Sequence, residues 1–323
     1  MTLSSWIAAG VALAFALLAA ALWRRLGWGD ASVGAEGARK LQRSAVPAVG
    51  GLAIAGGWVT LVALDVPLVE ALPLGWLAAS LGLALAAGAL DDARPGGLSP
   101  LAKLVGQAAA GLLLVLGAGQ DAELGDLVGA WSYPLLALAV GACVVAQNAL
   151  NTFDNADGAA TGVAASGLLV AASPLAPAVL VFLVPNLFLR DRSRDSEVAC
   201  GPWRSRDPLA YLGDGGSQLL GLALLVVPGA QGALLLPLLD LGRVALERVR
   251  AGQRPWVGDR RHLAHRLQRS GLGPVAVAGV LVALALPALL WPGLPGALVT
   301  GGGFLLACWR TRAVAAQDAI RTV

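Results

Sequence analysis

Apolar stretches of about 18–22 residues recur along this 323-residue chain from end to end, each long enough to cross a bilayer core of ~30 Å. At membrane depth there is no water to bond the backbone, so runs of this kind satisfy their peptide groups internally, as helices. A mean hydropathy of +0.72, with 13% charged residues, excludes a soluble globular domain. No polar block is long enough to fold separately. The chain is therefore expected to be all-α, a single polytopic membrane domain over residues 1–323 with about 10–11 transmembrane helices. The first run, Leu3 to Trp23, has no basic residues before it and is followed by Arg24 and Arg25, which reads as a first spanning helix rather than a cleaved leader. The three cysteines, Cys143, Cys200 and Cys308, have no metal-type or paired spacing.

Charge placement says more than the formal net charge of +3. Eleven spans are expected, at about 3–23, 45–64, 71–90, 101–119, 127–147, 158–173, 175–189, 211–229, 231–247, 272–290 and 296–309. With the N-terminus outside and the sides alternating, all 23 Lys and Arg residues fall in or beside cytoplasmic segments. The outside connections carry only acids: Asp65, Glu70, Asp121, Glu123 and Asp126. This is the positive-inside pattern, and it places the C-terminus and the long polar loops in the cytoplasm. There is no evident internal repeat, which argues against a transporter built from inverted halves.

Six polar blocks interrupt the apolar background, and ionisable residues at membrane depth are functional candidates by default. Val46-Pro-Ala-Val-Gly-Gly-Leu-Ala53 permits close backbone approach, to another helix or to a ligand. Asp91-Asp92 closes the third span, and on a helix adjacent side chains point about 100° apart, so the two carboxylates need not share a ligand. Lys103 and Gln107, four apart, share one face of the fourth span, where an ammonium suits a phosphate. Between Asn148 and Gly158, Asn148, Asn151, Asp154 and Asp157 step by three; oxygen donors of this kind suit Mg²⁺, which takes one or two carboxylates, water and substrate phosphates. A helix cap and a polar loop are the bland account of the same residues. Tyr211-Leu-Gly-Asp214-Gly-Gly-Ser217 surrounds a carboxylate with glycine, as a phosphate or metal near the backbone would require. Asp240 and Arg243 are either a local ion pair or substrate-positioning groups. Finally, Asp259-Arg260-Arg261-His262-Leu-Ala-His265 holds both histidines of the chain in its most basic loop. Zinc lacks a third ligand there, whereas His and Arg facing a pyrophosphate fit better; contact with anionic lipid is the alternative.

Taken in order, the blocks from about Pro47 to Leu267 resemble the polyprenyl-phosphate N-acetylhexosamine-1-phosphate transferase family (glycosyltransferase family 4). That family includes the undecaprenyl-phosphate GlcNAc-1-phosphate transferases and phospho-MurNAc-pentapeptide translocase. The last block looks more like the GlcNAc-1-phosphate branch, with Ala264 where a middle histidine is usual; in the Asn148-to-Gly158 block, Asn155 stands where Gly is common. The resemblance implies a reaction: a lipid monophosphate attacks the β-phosphate of a UDP-sugar and UMP leaves. It implies Asp91, Asp92 and Asp214 as catalytic groups, with Asp214 and Asp154 as ligands for Mg²⁺, which Mn²⁺ could replace. It assigns Lys103, Asn148, Asn151, Asp154, Asp157, Arg260, His262 and His265 to substrate. The partners implied are a UDP-sugar, a polyprenyl phosphate and the bilayer, with a homodimer allowed and no nucleic acid, in a bacterial inner membrane with the site facing the cytoplasm. A covalent aspartyl-phosphate route is conceivable; direct attack needs fewer steps. The rivals are a Mg²⁺-dependent membrane prenyltransferase, which would need two similar Asp-rich motifs, and a cation-coupled transporter, which would need acids near helix centres.

Overall fold

Alanine at every fourth position opens the first helix to close neighbours, and the helices that follow are packed by the same device. A computed structural model describes residues 1–26, 46–94, 96–119, 132–189, 207–256, 258 and 260–312. Twelve α-helices lie among the described residues: α1 (Leu3–Arg25), α2 (Gly50–Ala63), α3 (Leu74–Ala93), α4 (Pro100–Ala118), α5 (Ser132–Phe153), α6 (Ala159–Val170), α7 (Ala176–Leu183), α8 (Gly213–Val226), α9 (Leu235–Arg250), α10 (Leu263–Arg269), α11 (Pro274–Leu290) and α12 (Leu294–Arg310). A π-turn, Val184–Phe188, extends α7, and a 3₁₀ turn, Gln231–Leu234, precedes α9. A parallel bridge pairs Ala48 with Tyr211. The all-α expectation therefore holds. A helix overlaps each of the eleven expected spans, and four of them (α1, α3, α4 and α5) are by themselves long and apolar enough to cross a membrane.

Lipid contact explains the outer helices. On α4, Leu101, Val105, Leu112 and Leu116 form an exposed apolar stripe that water would penalise at ~25 cal/mol per Å². The inner helices differ: every residue from Gly215 to Leu224 of α8 is buried, as is Ala159–Ala165 of α6. Without a hydrophobic drive between helices in lipid, such helices associate through small residues that bring backbones together. Ala8, Ala12, Ala16 and Ala20 form that stripe on α1, and Gly57 of α2 sits against Ala8 and Ala12. α8 is the pivot, packing against α2, α3 and α5.

Three boundaries near the polar blocks move from their expected positions. Helix α2 starts at Gly50 rather than near residue 45, because Pro47 and Ala48 pair with the approach to α8: Tyr211 N–H donates to Pro47 O (2.9 Å), and Gly50 and Gly51 N–H donate to Tyr211 O and Leu212 O (3.0 and 3.1 Å). Helices α3 and α5 run to Ala93 and Phe153, so Asp91, Asp92, Asn148 and Asn151 are on the last turns of helices rather than beyond their ends.

The glycines around Asp214 also have a different cause from the one expected. A Cβ on Gly88 would overlap the Asp214–Gly215 backbone, one on Gly51 would lie 2.5 Å from Gly216 N, and one on Gly215 would lie 3.0 Å from Leu85 O. These glycines let α2, α3 and α8 touch backbone to backbone, so phosphate approach is not what requires them. Gly88→Ala should therefore push α8 off α3 and cost about 1–3 kcal/mol. Gly82, on the same helix with nothing within 4 Å of its would-be Cβ, is the control. Gly82→Ala should be neutral, or stabilising by up to ~1 kcal/mol. Thermal unfolding of both variants in detergent checks this, and equal midpoints would refute the packing account.

Candidate active site

Four helix ends converge on one cluster. The C-terminal turn of α3 brings Asp91 and Asp92, the start of α4 brings Lys103, the end of α5 brings Asn151 with Asp154 just beyond, and the start of α8 brings Asp214 and Ser217. Lys103 Nζ bridges two of the acids, 2.5 Å from Asp91 Oδ2 and 3.0 Å from Asp214 Oδ2. Asp91 Oδ1 also accepts from Leu98 N–H at 2.5 Å, which holds Leu98 against the helix end. Asn151 Nδ2 donates to Ser217 Oγ (3.1 Å), whose hydroxyl donates to Asp214 O (3.1 Å).

Asp92 has a separate task. Its Oδ1 accepts from Asp214 N–H (3.1 Å) and its Oδ2 lies 3.4 Å from Gly215 N. It caps α8 from a neighbouring helix, and a carboxylate there complements the positive end of the helix dipole. The two adjacent acids do point apart, as helix geometry requires. Gly213, which joins them to α8, has φ +76, a left-handed conformation in which a side chain would also strike Asp92 Oδ2.

Asp154 lies in the turn after α5. Its burial, followed by repulsion from Asp214, Asp92 and Asp157, holds its carboxyl well above the usual range, against a hydrogen bond from Gly213 N–H. Asp91, Asp92, Asp154 and Asp214 thus crowd together with Lys103 as the cation bonded to the cluster. That excess of hard oxygen donors fits a divalent cation such as Mg²⁺. Among the described residues no three acidic, His or Cys side chains close into a ready-made cage. Mg²⁺, which completes its shell with water and phosphate, does not need one.

The remaining expected site residues sort around this cluster. Asn148 Nδ2 donates to Gln107 Oε1 at 2.6 Å, tying α5 to the face of α4 that carries Lys103. Gln107 O in turn accepts from Gln147 Nε2 at 3.1 Å. Asp157 is buried in the turn that follows Asp154. His262 is assembled elsewhere, around the buried Asp240: His262 Nδ1 lies 2.8 Å from Asp240 Oδ2, while Asp240 Oδ1 accepts from Arg243 Nη2 (2.7 Å) and Leu263 N–H (3.1 Å). Arg243 and Arg266 both bond Glu247 and the Arg261 carbonyl. The Asp240–Arg243 pair is real, but it is part of a lattice that fixes the start of α10. His265 Nδ1 pairs with Gln268 Oε1 at 3.2 Å, and Arg260 O accepts from Arg269. Asp259, the first residue of that block, lies outside the described residues, as does the Cys200 loop. Helix α5 packs against both α8 and α9 and so stands between the two groups. Asn186, a buried amide in the π-turn, is not among the expected site residues; its signal in the sequence is a lone amide within an apolar run, a costly placement at membrane depth.

A multi-pass helical membrane protein with acids gathered at converging helix ends is the class these features define. Residues 74–228, from the start of α3 to just past α8, match the model of glycosyl transferase family 4. Undecaprenyl-phosphate alpha-N-acetylglucosaminyl 1-phosphate transferases of Escherichia coli (strain K12) and Shigella flexneri are each 26% identical over 285 residues, covering 76% of this chain and 71% of theirs.

Proposed function

We propose that this chain transfers a sugar-1-phosphate, from a UDP-linked N-acetylhexosamine, to a polyprenyl phosphate, releasing UMP and starting a lipid-linked glycan. The observation that carries this reading is the convergence of Asp91, Lys103, Asn151, Asp154 and Asp214 from four helix ends, within the region that matches the family. The activity of the similar Escherichia coli and Shigella flexneri transferases supports it. A transporter reading places acids along helix interiors, whereas these sit where helices end.

In chemical terms, an oxygen of the lipid phosphate forms a bond to the sugar-bearing β-phosphorus. The bond from that phosphorus to the bridging oxygen breaks, and UMP leaves with the electron pair. Lys103, already between two carboxylates, can swing its ammonium onto the lipid phosphate as a point charge. Asp91 shares Lys103 and is placed to accept the proton of that phosphate. Asp92 holds the N-terminus of α8, and with it Asp214, in place. Asp214 and Asp154 are the residues that would hold Mg²⁺, which supplies charge neutralisation to the diphosphate. Asn148, Asn151 and Asp157 line the nucleotide side. Arg260, His262 and His265 contact the diphosphate or sugar; with Nδ1 tied to Asp240, His262 presents Nε2. Direct attack is preferred over a covalent aspartyl intermediate. The whole chain acts as one integral-membrane domain of a bacterial plasma membrane, with eleven spans, N-terminus outside and the site cytoplasmic, and a homodimer is compatible with this arrangement.

Membranes containing the protein should convert polyprenyl phosphate and a UDP-sugar into a lipid-linked sugar, with UMP formed in equal amount and Mg²⁺ required. A panel of UDP-GlcNAc, UDP-GalNAc and deoxy analogues identifies the sugar. Release of UDP in place of UMP, or no product from any of them, would sink the assignment.

A further inference from the structure

The segment 176–189 carries one amide in an otherwise apolar run, Asn186, and it is 1% exposed. The local backbone explains how it comes to be there. Pro185 has no N–H and cannot continue an α-helix. The chain widens into a π-turn in which Leu189 N–H reaches back to Val184 O at 2.8 Å. Such turns are frequent at functional sites. The widening frees Pro185 O to accept from Leu209 and Ala210 N–H (3.0 and 3.1 Å), which draws the segment before α8 against the turn.

The Asn186 side chain completes three bonds. Its Oδ1 accepts from Gly158 N–H (3.1 Å) and from the Thr161 hydroxyl (3.0 Å), and its Nδ2 donates to Ala210 O (3.1 Å). Gly158, at φ +74, closes the turn that holds Asp154 and Asp157. Ala210 lies just before Gly213 and Asp214 on the approach to α8. Both partner segments are irregular backbone, so no continuous helix sets their relative height. Each would otherwise leave a buried backbone group unpaired. Only an amide serves both sides: a carboxylate could accept from Gly158 and Thr161 but could not donate to Ala210, and an aliphatic side chain could do neither.

We propose that Asn186 is a positioning residue of the transferase site, registering the Asp154–Asp157 turn against the segment that delivers Asp214. The catalytic consequence rests on the proposed function; the structural tie does not. A misplacement of about 1 Å at a reacting centre costs on the order of 100-fold in rate.

The test uses the full-length protein in lipid nanodiscs, with hydrogen exchange followed over 154–161 and 207–214 and kcat and KM measured for the UDP-sugar. Asn186→Ala should speed exchange in both segments together, leave α11 and α12 unchanged, and lower kcat about 10–100-fold with KM within about threefold. Asn186→Asp should keep protection at 154–161 and lose it at 207–214. Thr161→Val, which removes one neutral hydrogen bond, should lower kcat only about 2–10-fold. If Asn186→Ala does not accumulate, the one-sided exchange of Asn186→Asp decides, and equal change in both segments, or none, overturns the tie. Wild-type kcat in a variant whose two segments have loosened overturns the positioning role. A wild-type protein inactive on every UDP-sugar refutes the functional reading instead, while the exchange pattern still reports on the tie.

Discussion

Asp214→Asn is expected to abolish sugar-1-phosphate transfer, by about 1,000-fold or more, in a protein that inserts and folds normally. The expectation of normal folding comes from geometry. Asn is isosteric with Asp, and the backbone bonds that seat the residue run from its own N–H to Asp92 and from Ser217 to its carbonyl, so neither depends on the side chain. The expectation of lost activity comes from charge. Asp214 is one of the acids crowded with Asp91 and Asp154, and Lys103 answers it at 3.0 Å. An amide retains the volume but withdraws a full negative charge from the place where a divalent cation would bind. It also releases Lys103 to Asp91 alone. Removal of one preorganised electrostatic group in an active site typically costs 10²–10³ in rate, and loss of a metal-holding carboxylate belongs at or beyond the upper end of that range. The measurement is UMP release and lipid-linked product from nanodisc-embedded protein, beside a thermal unfolding curve of the same sample. An active Asp214→Asn variant removes Asp214 from the chemistry.

The second large effect concerns folding. Asp240→Ala should cost about 3–5 kcal/mol, the range for breaking a buried ion pair from one side. Asp240 is 1% exposed and serves Arg243, His262 and the Leu263 N–H at once. Its removal leaves Arg243 and Arg266 sharing Glu247. The start of α10 also loses the carboxylate that receives its first N–H, which is worth roughly another 1 kcal/mol. Residues 251–262 should then exchange and proteolyse faster, and activity should fall with them, because Arg260 and His262 lose their anchorage. Asp240→Asn retains an acceptor without the charge and should fall between Ala and wild type. A thermal midpoint for Asp240→Ala equal to wild type would show that the lattice around Glu247 suffices by itself.

The helices were legible because their signals are local. Apolar run length marks each expected span, and a helix overlaps every one of them. The ends were less legible: nothing near Val46 announces that Pro47–Val49 pair with a segment more than 160 residues later, as Tyr211 N–H to Pro47 O shows. The same long-range packing reversed the reason for the glycines beside Asp214. A glycine in sequence declares only that a side chain is absent, and whether a ligand or another backbone fills the space depends on what arrives from elsewhere. Asp92 illustrates this too. Its type marked it as chemistry, and only the fold shows that it also caps α8.

The sequence by itself determined that this is an all-helical membrane chain and which polar residues stand out of its apolar background. Both follow from a cost each residue carries wherever it lies: water-to-lipid transfer for the runs, desolvation for the acids. Only the tertiary structure decided which of those residues work together. It gathered Asp91, Asp92, Lys103, Asn151, Asp154 and Asp214 into one cluster, assembled His262 around Asp240 beside it, and placed Asn186 between the Asp154 turn and the Asp214 segment. Those groupings depend on backbones brought together by glycine and alanine across more than a hundred residues, and no local pattern encodes which small residue will meet which.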